Sequence, residues 1–306
     1  MTRLSSKTIL PIRDRRASAA ASMEGVMNEL ITINSATATA IAADMKVALL
    51  ATVDAHNLPH VTLITTIQSR DPHTIIWGQF TEGYSKQNVH TNPKTAFLVM
   101  SLARKVWRGR ALWKEERKEG PEYEMYNNKP MWRYNTYFGI HTVHYMELVG
   151  ITDGLPLPMG KVIQGGLATR LARGGLATGN PDRILSPWAE GMLAKLDSLK
   201  FVSYVGEDGY PVIIPCIQAQ AADSRRIAIS GLPYGDELRA IPDGTQVALF
   251  GMTLDMEDVL LRGNWTGFRR HGLAELASID IDWVYNSMPP VMGQVYPPLP
   301  LEAVTF

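Results

Sequence analysis

The chain has 306 residues, with 45% hydrophobic and 20% charged residues, an ordinary globular balance and room for about two domains. Its 30 basic and 30 acidic residues cancel, which argues against a global field directed at nucleic acid or an anionic membrane. The single Cys216 excludes an intrachain disulfide framework and a cysteine-built zinc or iron–sulfur site; no apolar run reaches the roughly 18 residues that span a bilayer, and a reducing cytoplasm is the expected compartment.

The chain opens on MTRLSSKTILPIRDRRASAAAS, basic and rich in Ser and Ala, without the continuous apolar stretch of a secretory signal. It reads as an arm that packs late or on a partner, with an organelle transit peptide as the other reading. AASMEGVMNELITI then places apolar residues at helical intervals and predicts a helix. KVALLATV, HVTLITT, TIIWGQF and TAFLVM follow as short β-branched and aromatic runs. They are separated by turn chemistry such as His-Asn-Leu-Pro and Arg-Asp-Pro-His. Between the last two lies FTEGYSKQNVHTNP, a short helix ended by Asn92-Pro93. A hydroxyl and an ammonium, Ser85 and Lys86, adjoin at its start. Two readings stay open for them: a Ser N-cap beside a solvated Lys, or donors converging on a phosphate at a helix start.

Beyond the strand VWRGRALW, KEERKEGPEYEMYNN mixes charges and predicts a solvated helix, and Met131-Trp132-Arg133-Tyr134 gathers aromatics with a cation. GIHTVHYMEL reads as a strand. In it His141 and His144 have odd spacing, which sends them to opposite faces, so no protein metal site is expected. Residues 156–190 are rich in Gly and Pro and predict a linker with one short helix, LATRLAR, between the pairs Gly165-Gly166 and Gly174-Gly175. These glycines do not fit a nucleotide-binding fingerprint. SPWAEGMLAKLDSL predicts a helix with Ser186 as N-cap and Pro187 in the first position. Cys216, in a strand with no His beside it, reads as a buried inert thiol.

The order of blocks repeats. Pro59 matches Pro211 and Asn57 matches Gly209; Asn92-Pro93 matches Asp243-Gly244, and Phe97 matches Ala248. VWRGRALW matches VLLRGNW through a shared Arg-Gly pair, and Trp113 and Trp265 take equivalent places. Two copies of one module of about 110 residues are expected. Each reads as a small Greek-key barrel or sandwich, so the expected class is all-β with flanking helices.

The succession of Asp54-Ala55-His56-Asn57-Leu58-Pro59, HVTLITT, IIWGQF, a Ser-Lys turn, an Asn88-Val89 helix and Asn92-Pro93 resembles the pyridoxamine 5′-phosphate oxidase-like family of FMN-binding split barrels. The resemblance is good over residues 45–150 and fainter over 192–290. It implies two tandem split barrels: an N-terminal domain over 1–155, the linker over 156–190 and a degenerate C-terminal domain over 191–306. It further implies an FMN phosphate held by Ser85 and Lys86, with Tyr84 adjoining. Family members commonly leave one residue between the Ser and the Lys. The ring would lie along Thr62, Leu63, Ile64 and Thr65 and the strand end Gln79, Phe80 and Thr81. Thr62 and Thr65 also read simply as strand formers. The implied activity is flavin-dependent oxidation or reduction of a small-molecule substrate. The alternatives are a deazaflavin- or haem-binding relative, a non-catalytic flavin carrier or sensor, and a scaffold. In the second copy Gly235-Asp236-Glu237 stands where the first has Tyr84-Ser85-Lys86, and two carboxylates would repel a phosphate. The barrels are expected to pair as a homodimer or as a pseudo-dimer within one chain.

Overall fold

The computed structural model describes residues 29–130, 139–255, 257–272, 274–286 and 293–298. Two antiparallel sheets account for most of them. In the first, β2 (Lys46–Val53), β3 (Pro59–Leu63), β4 (Gln68–Asp71), β5 (Thr74–Gln79), β6 (Lys94–Ser101), β7 (Lys105–Arg117) and β8 (Thr142–Thr152) run in the order β3-β2-β6-β7-β8-β5-β4. The short strands β1 (Glu29–Leu30) and β9 (Leu155–Pro156) attach to β8 and β7. The second sheet contains β10 (Leu199–Val205), β11 (Pro211–Pro215), β12 (Gln220–Ala221), β13 (Arg226–Ser230), β14 (Gln246–Met252), β15 (Asp258–His271) and β16 (Ala274–Asn286). Its order, β11-β10-β14-β15-β16-β13-β12, repeats that of the first, and β17 (Gly293–Tyr296) adds to β16.

The chain is thus a duplicated split barrel. Val53 pairs with Pro59 as Val205 pairs with Pro211, and Leu49 with Leu98 as Phe201 with Phe250. A constant displacement of 152 residues relates these pairs. The same register corrects two expected matches. Ala248 stands for Ala96, not Phe97, and Arg262 for Arg110, not Arg108, because Ala96 faces Arg110 across the strand pair where Ala248 faces Arg262. The second copy simply carries its Arg-Gly pair two residues later.

Both faces of the central strands are buried, which is why VALLATV and TAFLVM read as unbroken apolar runs instead of alternating ones. Ala48 and Leu50 face the first barrel's own core with Ile41, Trp77, Phe97 and Val99. Their neighbours Leu49 and Ala51 face a second cluster shared with the other barrel. There Val61, Leu98 and Met100 meet Phe201, Ile213, Phe250 and Tyr285. The two barrels therefore pack face to face through a hydrophobic seam. Near-symmetric ion pairs border it: Arg110 bonds Asp208 in the opposite barrel at 2.6 Å, and Arg262 bonds Asp54 at 2.9 Å.

The helices depart from expectation in instructive ways. The predicted helix over AASMEGVMNELITI falls partly outside the described residues, and Glu29–Leu30 form a strand on β8. The helix that precedes the first barrel is α1 (Ser35–Ile41), capped by Asn34 Oδ1, which accepts from Thr37 N at 2.8 Å. Thr-rich SATATAI has modest helix propensity; burial of Ile33 and Ile41 overrides it. Between β7 and β8, Lys114–Arg117 stay extended against β8 and the helix α3 starts only at Pro121 (Pro121–Asn128). The Met131–Tyr134 cluster lies outside the described residues.

The linker helix α4 (Met159–Ala172) is longer than predicted and runs through Gly165-Gly166 before a 3-10 turn, Arg173–Leu176. Close approach explains the glycine. A Cβ on Gly165 would lie 1.9 Å from Leu232 O and 2.8 Å from Ser230 Oγ. Gln220 Nε2 donates to Gly166 O at 2.7 Å, fixing α4 to the second barrel. In the first barrel α3 covers the equivalent region, where Tyr126 OH donates to Thr66 O at 2.7 Å. Gly165→Ala should therefore destabilise the chain by roughly 1–3 kcal/mol through overpacking. An unchanged urea midpoint would show that α4 yields freely. Helix α5 (Pro187–Ala194) forms as predicted, with Ser186 Oγ accepting from Ala189 N at 3.2 Å.

Candidate functional site

Helix α2 (Tyr84–Thr91) follows β5 and lies against β2 and β3. It stops at Asn92, whose N–H bonds Asn88 O at 2.7 Å. Its N-cap is Gly83, and no side chain caps it, so Ser85 is not the cap. Ser85 sits in the first turn, fully buried, and its Oγ has no hydrogen-bond partner among the described residues. Two further buried atoms on β3 share that condition, Thr62 Oγ1 and His60 Nδ1. An unsatisfied buried polar atom costs about 1–3 kcal/mol, so three on one helix turn and its neighbouring strand need an explanation.

Lys86 lies beside them, only 8% exposed. Burial lowers its ammonium to about 8, opposed by the charge of Glu82. Among the described residues it has no salt bridge. The His60 ring is pushed to about 3, first by burial and then by Arg262 and Lys86, so it is neutral. A cavity of about 120 Å³ opens at Lys86, walled by Gln79, Glu82, His90, Glu116 and Thr142. That is room for a phosphate-sized group and not for a flavin ring system.

Behind the cavity a hydrogen-bonded chain fixes the polar groups. Trp113 Nε1 donates to His144 Nδ1 at 3.1 Å, which leaves Nε2–H to donate to Gln79 Oε1 at 2.8 Å. Gln79 Nε2 then donates to Glu82 Oε1 at 3.0 Å. Trp77 stacks on the His144 ring with centroids 3.7 Å apart. Burial, with His90 and Lys86, holds His144 at about 3. The 3.7 Å approach of Glu116 to Nδ1 is therefore not an ion pair.

The predicted residues separate into groups. Gln79 and Lys86 border the cavity. Leu63 and Tyr84 pack on the inter-barrel seam, where Tyr84 stacks on Tyr285 of the second barrel at 5.0 Å and His60 meets the same ring at 5.2 Å. Trp283 stacks on Tyr285, and the Arg262 guanidinium lies 4.0 Å over Trp283. Thr62 and Ser85 carry the unpartnered hydroxyls. Ile64 turns its side chain into the first barrel's core, and its N–H donates to Ala48 O. Thr65 is half-buried, Thr81 is exposed, and Phe80 packs beside Ile76 and Tyr126. Sequence reasoning missed His60 and His144 as parts of this region. Each is a polar residue inside an apolar strand, HVTLITT and TVHYMEL, and that break in pattern was the available signal.

The second barrel uses its matching turn otherwise. In α6 (Gly235–Arg239), Glu237 receives a bidentate bond from Arg108 of the first barrel, at 2.7 and 3.1 Å. The two side chains are only 14% and 12% exposed. Arg108 Nη1 also donates to Ile213 O at 3.2 Å. Where Lys86 has no salt bridge among the described residues, its counterpart closes a contact between barrels.

Parts of the chain are similar to solved structures. An FMN-binding protein from Syntrophomonas wolfei subsp. wolfei is 17% identical, with 48% of this chain and 99% of its own aligned at a TM-score of 0.34. A candidate pyridoxamine 5′-phosphate oxidase from Lactobacillus delbrueckii is 19% identical, over 41% of this chain and 98% of its own, at a TM-score of 0.33. The styrene monooxygenase flavin reductase from Pseudomonas putida S12 is 6% identical, over 40% and 89%, at 0.27. No protein-family model and no curated protein matches the chain.

Proposed function

We propose that the first barrel binds FMN and that the chain is a flavin-dependent oxidoreductase acting on a small molecule. The observation that supports this reading is the coincidence of a desolvated, unpaired ammonium with three buried polar atoms lacking partners, at Ser85, Thr62 and His60. A phosphate would take the charge of Lys86 and the hydroxyl of Ser85. Thr62 Oγ1 and neutral His60 would meet the polar edge of the ring or the sugar chain. Bound FMN would supply the hydride exchange. The chain's residues would anchor, orient and exclude water, with Tyr84 and Tyr285 closing the side toward the second barrel. The cavity at Lys86 has room only for the phosphate end and is lined by neither Tyr84 nor Tyr285, so admitting the ring would require neighbouring side chains to move.

Titration of the purified chain with FMN, followed by flavin fluorescence, tests the reading. Saturation at about one flavin per chain is expected, because Glu237 occupies the matching position in the second barrel and is engaged by Arg108. Two equivalent sites would show that the acidic turn admits phosphate; no saturable binding would remove the proposal. Reduction by a nicotinamide cofactor followed by rapid reoxidation would separate an enzyme from a carrier.

A pH prediction follows from Lys86. Its folded pKa, about 8, lies below the ordinary 10.5. Between these values the unfolded chain binds more protons, so ligand-free stability should rise with pH through that window. FMN affinity should fall over the same window, since deprotonation removes the charge the phosphate needs. Riboflavin, lacking phosphate, should show no such fall. Parallel pH profiles for both flavins would exclude Lys86 from phosphate binding.

A further inference from the structure

A second and much larger cavity, about 640 Å³, opens on the second barrel between the end of α4, the 3-10 turn after it and α5. Its size is that of a small-molecule site. Three guanidinium groups border it, Arg170, Arg173 and Arg183, against one carboxylate, Glu190. Glu190 is bonded to Arg183, so that pair is neutral. Arg173 donates Nη1 to Ala221 O at 2.7 Å, which holds the side chain in place without cancelling its charge. Arg170 is exposed and has no salt bridge among the described residues. Two positive charges are thus left facing the groove, one of them fixed.

Two glycines on the walls add a separate observation. Gly174 and Gly191 have no positive φ, and a Cβ built on either meets no atom within 4 Å. Gly191 lies within α5, where glycine weakens a helix relative to alanine. Neither backbone strain nor packing in the described residues requires glycine at these places. Both line the groove, and the space a side chain would take there is open. Leu171, 88% exposed, and Ala221 and Ala222 give the same groove an apolar side.

We propose that this groove binds a phosphorylated small molecule of nucleotide size, its anionic groups on Arg170 and Arg173 and its apolar part along Leu171 and the two alanines. The site is separate from Lys86 and does not depend on the flavin reading. Calorimetric titration of the full chain with pyrophosphate, ATP and NADPH tests it, repeated in Lys86→Ala to remove any contribution of the first barrel. At least one of the three should bind saturably, be weakened about tenfold or more by Arg170→Glu and by Gly191→Leu, and be indifferent to Lys86→Ala. Pyrophosphate binding as tightly as the nucleotides would assign recognition to phosphate alone; tighter nucleotides would assign the apolar wall a share. Arg170 is exposed and a Cβ at Gly191 meets no atom within 4 Å, and thermal melting checks the folding of both variants. Absence of saturable binding by all three below about 1 mM, or binding unchanged in both folded variants, would overturn the proposal.

Discussion

Lys86→Ala is expected to weaken FMN by about 10- to 150-fold while leaving riboflavin nearly unchanged, the effect of deleting a charge-assisted hydrogen bond of roughly 1.5 to 3 kcal/mol. Only FMN carries the phosphate that the ammonium would hold. Lys86→Glu should be worse, since it places at the first barrel's turn the charge that Glu237 carries at the second. The side chain is 8% exposed and has no salt bridge among the described residues, so the ligand-free protein should lose little stability by either removal or neutralisation of the charge. Lys86→Met, apolar and of similar length, controls for packing. Equal losses for the two flavins in one buffer would return Ser85 and Lys86 to purely structural roles.

The second large effect lies at the opposite turn. Arg108→Ala leaves the Glu237 carboxylate buried in the seam without its bidentate partner. Breaking one member of such a pair costs about 3–5 kcal/mol. Much of that is the penalty of the stranded charge, so Glu237→Gln combined with Arg108→Met should recover a large part of the loss. Urea unfolding of Arg108→Met, Glu237→Gln and their double variant, treated as a cycle, gives the coupling. A cycle that closes at zero, with single losses under about 1 kcal/mol, would mean that the pair behaves as an exposed one.

The architecture was largely legible because apolar runs and turn residues recur in one order. Pro59 and Pro211 mark the same strand start, and Trp113 and Trp265 take equivalent places, their backbone N–H groups donating to Pro93 O and Thr245 O, although only Trp265 is fully buried. What the residues concealed was decided by packing between distant segments. SATATAI has weak helical character and becomes α1 only because Ile33 and Ile41 are buried by the barrel. Gly165-Gly166 looked like a break, and lies inside α4 because the helix presses its backbone onto Leu232. At the candidate site, Ser85 and Lys86 could be picked out from their neighbours in sequence. His60 could not be joined to them, since their proximity depends on α2 lying across β3. HVTLITT reads as one strand that includes Ile64, but β3 ends at Leu63 and the Ile64 side chain packs in the first barrel's core.

The pairing of Arg108 with Glu237 has a consequence for how this molecule differs from an assembly of identical subunits. In the repeat, the place of Arg108 is taken by Leu260 and that of Glu237 by Lys86, so the contact exists on one side of the seam and has no twin. Two identical chains related by a rotation axis could not arrange this, for any arginine placed opposite a glutamate on one side would be duplicated on the other, and every such turn would carry the carboxylate. Joining the copies covalently lifts that restriction. One turn can be given over to locking the halves together while the other keeps Lys86, so cohesion and the proposed phosphate recognition no longer compete for the same residue.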